Sequence, residues 1–292
     1  MQRARTDLAV EARSEYMEKY APAHSGEIDG VVYSERKHGD IDVSEIDVTN
    51  EAGERAVGRR MGKYVSLCFP DITVTDFEGF ARICEACAGE LMSVCKTLAA
   101  APKSLLVCGI GNAKMTPDAL GPQALSHVLV TRSLREREPE IFKRSGFFDI
   151  CAIAPGVGAD TGLDAAEIVR AAAEIARPDI VVAIDALAAR SAERLCKTVQ
   201  ICSAGISPGS GVGNAVRAID KESIGVPVVA LGVPTVIDAG TLVRDACGRE
   251  ESGYDGFFVC PKEIDAQTEK LSRLLGFAVN RAFHGLDLRE ML

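Results

Sequence analysis

The chain has 292 residues, of which 33 are Lys or Arg and 42 are Asp or Glu, so its formal net charge is −9. Its hydrophobic fraction of 47% and charged fraction of 26% are typical of a globular chain and not of a disordered one. This length allows one large α/β domain or two average ones. The acidic balance argues against a general electrostatic contact with nucleic acid. With four histidines, imidazole chemistry has few possible positions.

Neither a signal peptide nor a membrane span is predicted. The N-terminus contains no apolar run, and no stretch reaches the roughly 18 apolar residues that a membrane helix needs. We therefore expect a cytoplasmic protein. Most of the ten cysteines lie in apolar runs, where a reduced thiol packs as a small hydrophobic side chain. Cys84 and Cys87 resemble half of a zinc or redox site, but their helical spacing favours core packing.

In chain order, the first 60 residues are polar and irregular and predict short strands or hairpins. Residues 63–74 predict a strand that stops at Pro70, and residues 76–100 carry a helical apolar stripe. Further strands are predicted at 104–110, 146–154, 179–185, 198–203 and 226–233. Further helices are predicted from Thr116, with this residue as N-cap and Pro117 as first helical residue, and at 163–176, 186–195, 235–246 and 261–285.

Apolar strands that alternate with helices predict a three-layer α/β/α fold with a mostly parallel sheet. No repeat, low-complexity tract or long linker divides the chain. We therefore expect a single α/β domain with an irregular N-terminal β portion packed onto it. In such sheets, functional residues collect where the strands end at their carboxyl edge.

Three glycine-rich loops follow predicted strands, at 109–112, 155–158 and 207–214. None fits a nucleotide-binding fingerprint, because Lys114 replaces the third glycine of the first loop and no loop ends in the P-loop pattern. Small residues let another backbone approach, either a bound peptide or a phosphate group. We interpret 155–158 as a tight turn and favour a functional role for 207–214. The candidate substrate-binding residues are Gly109, Gly111, Asn112, Gly209, Ser210 and Gly211.

Two carboxylates stand out by position. Asp118 follows the first glycine loop, and Asp185 ends the predicted strand 179–185. Each taken singly is explained by helix capping or by the helix dipole. Taken together at one sheet edge, two acids can share a proton, with one acting as base on a water molecule and the other as acid.

Other candidates are weaker. Ser210 lies between glycines without a nucleophile-elbow motif or an evident histidine partner. His127 falls on a predicted helix and is interpreted as a structural residue. The basic pair Arg59-Arg60 is interpreted as part of a solvated surface.

Several long motifs occur in one order along the chain. They are R-T-D-L-A-V-E (5–11), T-P-D-A-L-G-P (116–122), L-V-T-R (129–132), A-I-D-A-L-A-A-R (183–190), S-P-G-S-G-V-G-N (207–214) and L-G-V-P-T-V-I-D-A (231–239). Together they resemble the germination protease family (spore proteases) of spore-forming Firmicutes, over about residues 5–265.

The resemblance implies an α/β/α fold similar to that of hydrogenase maturation endopeptidases. It implies an endopeptidase, without a cofactor or metal, that cleaves small acid-soluble spore proteins in the germinating spore. It also implies a homotetramer and a self-processing zymogen, with a propeptide 1–7, a cut between Asp7 and Leu8, and a peptidase domain 8–292. The family is classed as atypical aspartic, and its two proposed catalytic motifs place those residues at Asp118 and Asp185.

Two alternatives remain open at this stage. A metal-dependent maturation endopeptidase of the same fold would use the acids as metal ligands, although such a site usually adds an imidazole. A non-catalytic binder of spore proteins would need neither the acids nor the Asp7-Leu8 motif.

Overall fold

The computed structural model describes residues 6–20, 27–209, 217–247, 253–254 and 256–291. In these residues the strands are β1 Val31–His38, β2 Ile41–Val48, β3 Gly62–Cys68, β4 Ser104–Gly109, β5 Asp149–Ile153, β6 Ile180–Ala189, β7 Thr198–Cys202, β8 Val228–Asp238 and β9 Phe258–Val259. The helices are α1 Ala9–Tyr20, α2 Glu51–Val57, α3 Phe77–Leu98, α4 Leu120–Leu125, α5 Arg132–Arg137, α6 Pro139–Ser145, α7 Gly158–Thr161, α8 Ala165–Ala176, α9 Lys221–Ile224, α10 Ala239–Cys247, α11 Ile264–His284 and α12 Leu288–Met291. Two 3-10 turns are formed by Thr116–Asp118 and Ala192–Arg194.

The described strands form one sheet in the order β1-β2-β3-β7-β8-β6-β4-β5, with β9 paired to β8. The strands β8, β6, β4 and β5 are parallel to one another, as the alternation of strands and helices predicts. β1, β2, β3 and β7 pair antiparallel, and β7 joins the two halves by pairing antiparallel with β8. The predicted α/β class is confirmed. The N-terminal strands extend this sheet instead of forming a separate layer upon it.

Helices cover both faces of the sheet. α3, α4 and α11 pack on one face, where the predicted apolar stripe of residues 76–100 is buried. α8 and α9 pack on the other face in a second apolar cluster. Side chains alternate along β6, so that Ile184 faces the first cluster and Ala183 the second. Asp185 therefore lies on the α8 face of the sheet.

The predicted helix over 186–195 is wrong. β6 continues to Ala189, and only Ala192–Arg194 form a 3-10 turn. The reason is tertiary, because residues 186–189 pair with β8, which supplies the backbone hydrogen bonds that a helix would otherwise provide. As a consequence Asp185 lies inside a strand and caps no helix.

Two further boundaries differ from the predictions. β8 continues to Asp238, because its end pairs with β9, and α10 begins only at Ala239. Thr116 is the first residue of a 3-10 turn and not its N-cap, which is Met115. The final helix is confirmed as α11, with Gly285 as its C-cap. In the part of the chain that the structure describes, no helix is both long and apolar enough to cross a membrane.

Candidate active site

A crevice of ≈ 290 Å³ opens where β6, β8 and β7 run side by side. The register pairs Asp185 of β6 with Gly232 of β8, and Gly232 with Gln200 of β7. Residues directly opposite one another on neighbouring strands share a face of the sheet. Asp185 and Gln200 therefore lie on the same face, about 10 Å apart in backbone position, on either side of a residue without a side chain.

The turn that carries Asp118 packs closely against the loop that follows β4. A Cβ atom at Gly111, where φ is +115°, would overlap the carbonyl oxygen of Asp118, so only glycine allows this approach. The backbone N–H of Asn112 donates to Asp118 Oδ2 at 2.7 Å. From the other side, the Thr235 hydroxyl donates to the carbonyl oxygen of Pro117 at 2.6 Å. These contacts fix the position of Asp118 near β6, where its charge acts on Asp185.

The two carboxyl groups differ in their electrostatics. Burial raises the pKa of Asp185, which is 3% exposed, well above its ordinary value, and the charges of Asp118 and Asp7 raise it further against one hydrogen bond from the N–H of Ala186. Burial also raises the pKa of Asp118, while the Asn112 N–H lowers it by stabilising the anion. Of the two carboxyl groups, Asp185 therefore favours its protonated form more strongly, and Asp118 is the better placed to be ionised.

The N-terminal segment lies along the same crevice. The N–H of Asp7 donates to the carbonyl oxygen of Ala188 at 2.8 Å, and the N–H of Ala188 donates to Asp7 Oδ2 at 2.9 Å. The Arg59 guanidinium donates to the carbonyl oxygen of Thr6. Leu8 is fully buried in the core, and α1 begins at the next residue. The backbone around the Asp7–Leu8 bond is thus held in place over the end of β6.

Gln200 contacts the backbone on both sides of this bond. Its Nε2 donates to the carbonyl oxygen of Asp7 at 3.0 Å, and its Oε1 accepts from the N–H of Ala9 at 2.8 Å. The side chain is buried, at 6% exposed, and lines the crevice together with Asp185.

Glu11 fixes the start of α1 to the chain that follows β6. Its carboxylate accepts from the N–H of Arg190 at 2.7 Å and from the N–H of Ser191 at 2.9 Å, and also from the Thr6 hydroxyl. The residue is only 5% exposed. These bonds satisfy backbone donors that would otherwise be buried without partners.

Comparison with known proteins gives the family. A family model described as "Peptidase_A25: Germination protease" matches residues 9–248. The chain belongs to the germination protease family. It is 44% identical to a germination protease of Clostridium tetani, over 98% of each chain. It is 39% identical to one of Clostridium perfringens, over 97% of this chain and 95% of the relative.

Among solved structures, the chain is similar to the NiFe hydrogenase maturation protease HycI of Thermococcus kodakarensis KOD1. The TM-score is 0.34 at 19% identity, and the match covers 64% of this chain and 99% of that one. A similarity of this size is too low to support a conclusion about fold or function.

For this germination protease family member, the structure brings several of the predicted site residues together. Asp7, Asp185 and Gly209 line one crevice. Gly109 packs against the backbone of Gly121 at the start of α4, much as Gly111 packs against Asp118. The substrate-binding role of Gly109, Gly111, Asn112 and Gly209 stays a prediction. Ser210 and Gly211 lie outside the described residues.

The remaining candidates lie elsewhere. His127 packs edge-on against Phe277 of α11, with ring centroids 5.8 Å apart, and burial followed by the charge of Arg273 lowers its pKa. Cys84 and Cys87 are buried in the core, as predicted, and burial raises the pKa of Cys84 to about 12. Among the residues that the structure describes, no group of three or more His, Cys, Asp or Glu is arranged to hold a metal ion.

Sequence reasoning missed three residues that hold the N-terminal segment in place. Gln200 interrupts an apolar strand, and a polar residue in such a run needs a buried partner, so a signal was present. Glu11 lies in the first turn of α1, within one of the family motifs. Arg59 was predicted to lie on a solvated surface and instead holds the backbone of Thr6. Its sequence neighbourhood carries no signal for that contact.

Proposed function

We propose that this chain is an aspartic-type endopeptidase that is made as a zymogen and removes its own residues 1–7. Asp118 and Asp185 activate water for this hydrolysis. The single observation that supports the proposal best is that Asp7, the residue before the proposed cut, lines the same crevice as the buried Asp185. Membership of a peptidase family supports the reaction type.

The proposed chemistry assigns a separate role to each acid. Ionised Asp118 takes a proton from water, and the water oxygen forms a bond to the carbonyl carbon of Asp7. Protonated Asp185 gives its proton to the nitrogen of Leu8 as the C–N bond breaks, leaving a carboxyl group and an amine. The proton gained by Asp118 then returns to Asp185. The difference in environment between the two carboxyl groups supports this order.

We extend the proposal to substrate and assembly. The processed enzyme begins the degradation of small acid-soluble spore proteins in the cytoplasm of the germinating spore, as the family resemblance implies. It binds these proteins and neither nucleic acid nor membrane, and it assembles as a homotetramer. The exposed apolar side chains of Phe257, Phe258 and Val259, on and beside the short strand β9, are one surface that assembly would cover.

The test compares self-processing and substrate cleavage in four proteins. Wild type, Asp118→Asn, Asp185→Asn and a control, Asp42→Asn, are incubated at mildly acidic pH, and the loss of residues 1–7 is followed by intact mass. Cleavage of a purified small acid-soluble spore protein is followed in parallel. Asp42 is an exposed residue of β2, so Asp42→Asn makes the same change of side chain at a position away from the crevice.

We expect the control to match wild type, and each active-site variant to be slower by at least about 100-fold, which is the size of a lost acid or base. Far-ultraviolet circular dichroism checks that the variants fold. Full cleavage by both Asp118→Asn and Asp185→Asn would show the assignment to be wrong. Activity that a chelator abolishes and an added metal ion restores would favour the metal-dependent alternative instead.

A further inference from the structure

Gln200 has no role in the two-acid chemistry, yet its side chain contacts the carbonyl oxygen of the Asp7–Leu8 bond. Its side chain donates to the carbonyl oxygen of Asp7 and accepts from the N–H of Ala9. The amide orientation is fixed by these partners, because a reversed amide would face a donor with a donor and an acceptor with an acceptor. Gln200 therefore presents an N–H to the carbonyl oxygen of the bond that is to be cut.

The surroundings keep this side chain in place. Gln200 lies on β7 between two paired strands, directly opposite Gly232. A Cβ atom at Gly232 would lie only 2.7 Å from Cγ of Leu187, so the Leu187 side chain packs closely over Gly232, on the strand between β6 and β7. A donor that is positioned before the reaction needs no reorganisation when charge develops on the carbonyl oxygen.

Several other contacts fix the backbone of the segment. Arg59 holds the carbonyl oxygen of Thr6, and Ala188 pairs with the N–H and the carboxylate of Asp7. All of these contacts position the chain. The hydrogen bond from Gln200 Nε2 is made to the carbonyl oxygen, on which negative charge develops during hydrolysis, whereas the N–H of Leu8 donates to the Thr6 hydroxyl at 3.0 Å.

We propose that Gln200 is a catalytic residue of self-processing: its Nε2–H stabilises the oxyanion on the Asp7 carbonyl oxygen, while its Oε1 holds the N–H of Ala9. When water adds to the carbonyl carbon, the electron pair of the C=O bond moves onto this oxygen, and the hydrogen bond from Gln200 strengthens. When the pair returns, the C–N bond to Leu8 breaks and the nitrogen takes its proton from Asp185. This inference rests on the proposed function and adds a third residue to it.

Two variants separate donation from anchoring. Gln200→Met removes both hydrogen bonds, whereas Gln200→Glu keeps the shape and the acceptor. A glutamate at this position donates only when it is protonated, through an O–H in place of the N–H. Gln267→Met is the matched control, because Gln267 is a buried glutamine on α11. The measurement is the rate of loss of residues 1–7 by intact mass, from pH 5 to pH 8.

We expect Gln200→Met to be slower than wild type by at least about 100-fold at every pH, which is the size of one lost oxyanion donor. Gln200→Glu should be equally slow at pH 8 and should recover relative to wild type as the pH falls. Gln267→Met should match wild type. Recovery shows that a donor is needed at this position, and the measurement below separates donation to the oxyanion from docking of the segment.

Hydrogen exchange at the Ala9 amide, measured in an Asp185→Asn background that cannot cut itself, reports whether the segment stays docked. Slow cleavage by Gln200→Glu at pH 8 with Ala9 still protected supports the inference. Wild-type cleavage by Gln200→Met, or slow cleavage by Gln200→Glu with Ala9 unprotected, overturns it. Failure of the proposed function looks different, since wild type would then keep residues 1–7 or the Asp118 and Asp185 variants would lose them.

Discussion

Replacing Asp185 by Asn should make the stability of the protein less dependent on pH. Burial and the negative charges of Asp118 and Asp7 raise the pKa of Asp185, and they outweigh the hydrogen bond from the N–H of Ala186, which lowers it. Folding therefore raises its pKa above the ordinary aspartate value of 3.8. The folded state binds this proton more tightly than the unfolded state, so that the contribution to stability is complete below the ordinary pKa and is lost as the pH rises through the folded pKa.

The size of the effect follows from the linkage relation. In the window between the ordinary and the raised pKa, wild type loses up to about 1.4 kcal/mol of unfolding free energy per pH unit from this one group. The side chain of Asn does not ionise in that range, so Asp185→Asn does not lose unfolding free energy in this way. The variant should gain stability over wild type as the pH rises above about 4, although it has lost activity.

The assay is urea unfolding at pH 5, 6, 7 and 8, with wild type, Asp185→Asn and the exposed-site control Asp42→Asn. Intact mass is measured for each sample, and only wild-type protein that still carries residues 1–7 is compared with the variants. We expect the difference in unfolding free energy between Asp185→Asn and wild type to grow steadily with pH, and the Asp42→Asn difference to stay flat. Parallel curves for wild type and Asp185→Asn would refute the reasoning, because they would mean that folding does not change the affinity of Asp185 for its proton.

Two further predictions concern the contacts that build the crevice. Gly111→Ala should destabilise the fold by about 1–3 kcal/mol more than Gly39→Ala, since Gly39 also has positive φ but meets nothing within 4 Å, whereas a Cβ at Gly111 overlaps backbone; equal urea midpoints for the two variants would contradict the close approach. Glu11→Ala should cost at least about 2 kcal/mol, because it leaves backbone donors after β6 unpaired, and it should expose the N-terminal segment to added protease. Glu18→Ala, on the exposed side of the same helix, should cost under about 1 kcal/mol, and a similar loss for both would show that the Glu11 bonds contribute little.

The sequence by itself determined the architecture where the signal is local. Apolar runs that alternate with helical spacing identified β4, β5, α8 and the parallel half of the sheet, and the apolar stripe of residues 76–100 predicted α3. Hydrophobic periodicity is written into consecutive residues, so it survives without knowledge of the partners. The sequence indicates Asp118 and Asp185 as candidate catalytic residues because each follows or ends a predicted strand, and the carboxyl ends of parallel strands meet at one edge of a sheet.

The local signal failed where long-range pairing outweighs propensity. Residues 186–189 consist of Ala and Leu, which favour a helix, but their pairing with β8 makes them part of a strand. Because of this pairing, Asp185 lies inside a strand and not at the N-cap of a helix, and its burial there raises its pKa. No pattern within 186–195 contains that information, because the partner residues on β8 lie 47 or 48 positions further along the chain, as in the pair Ala186 and Val233.

Tertiary structure alone decided what surrounds the bond between Asp7 and Leu8. Gln200 reaches the carbonyl oxygen of Asp7 across 193 positions of sequence, and Ala188 pairs with Asp7 across 181. Motifs placed the two acids and the processing bond on separate stretches of the chain. Only the folding of β6, β7 and the N-terminal segment against one another brings Asp7, Asp185 and Gln200 into one crevice, since hydrogen bonds between distant residues depend on the packing of the whole sheet and not on the residues beside them.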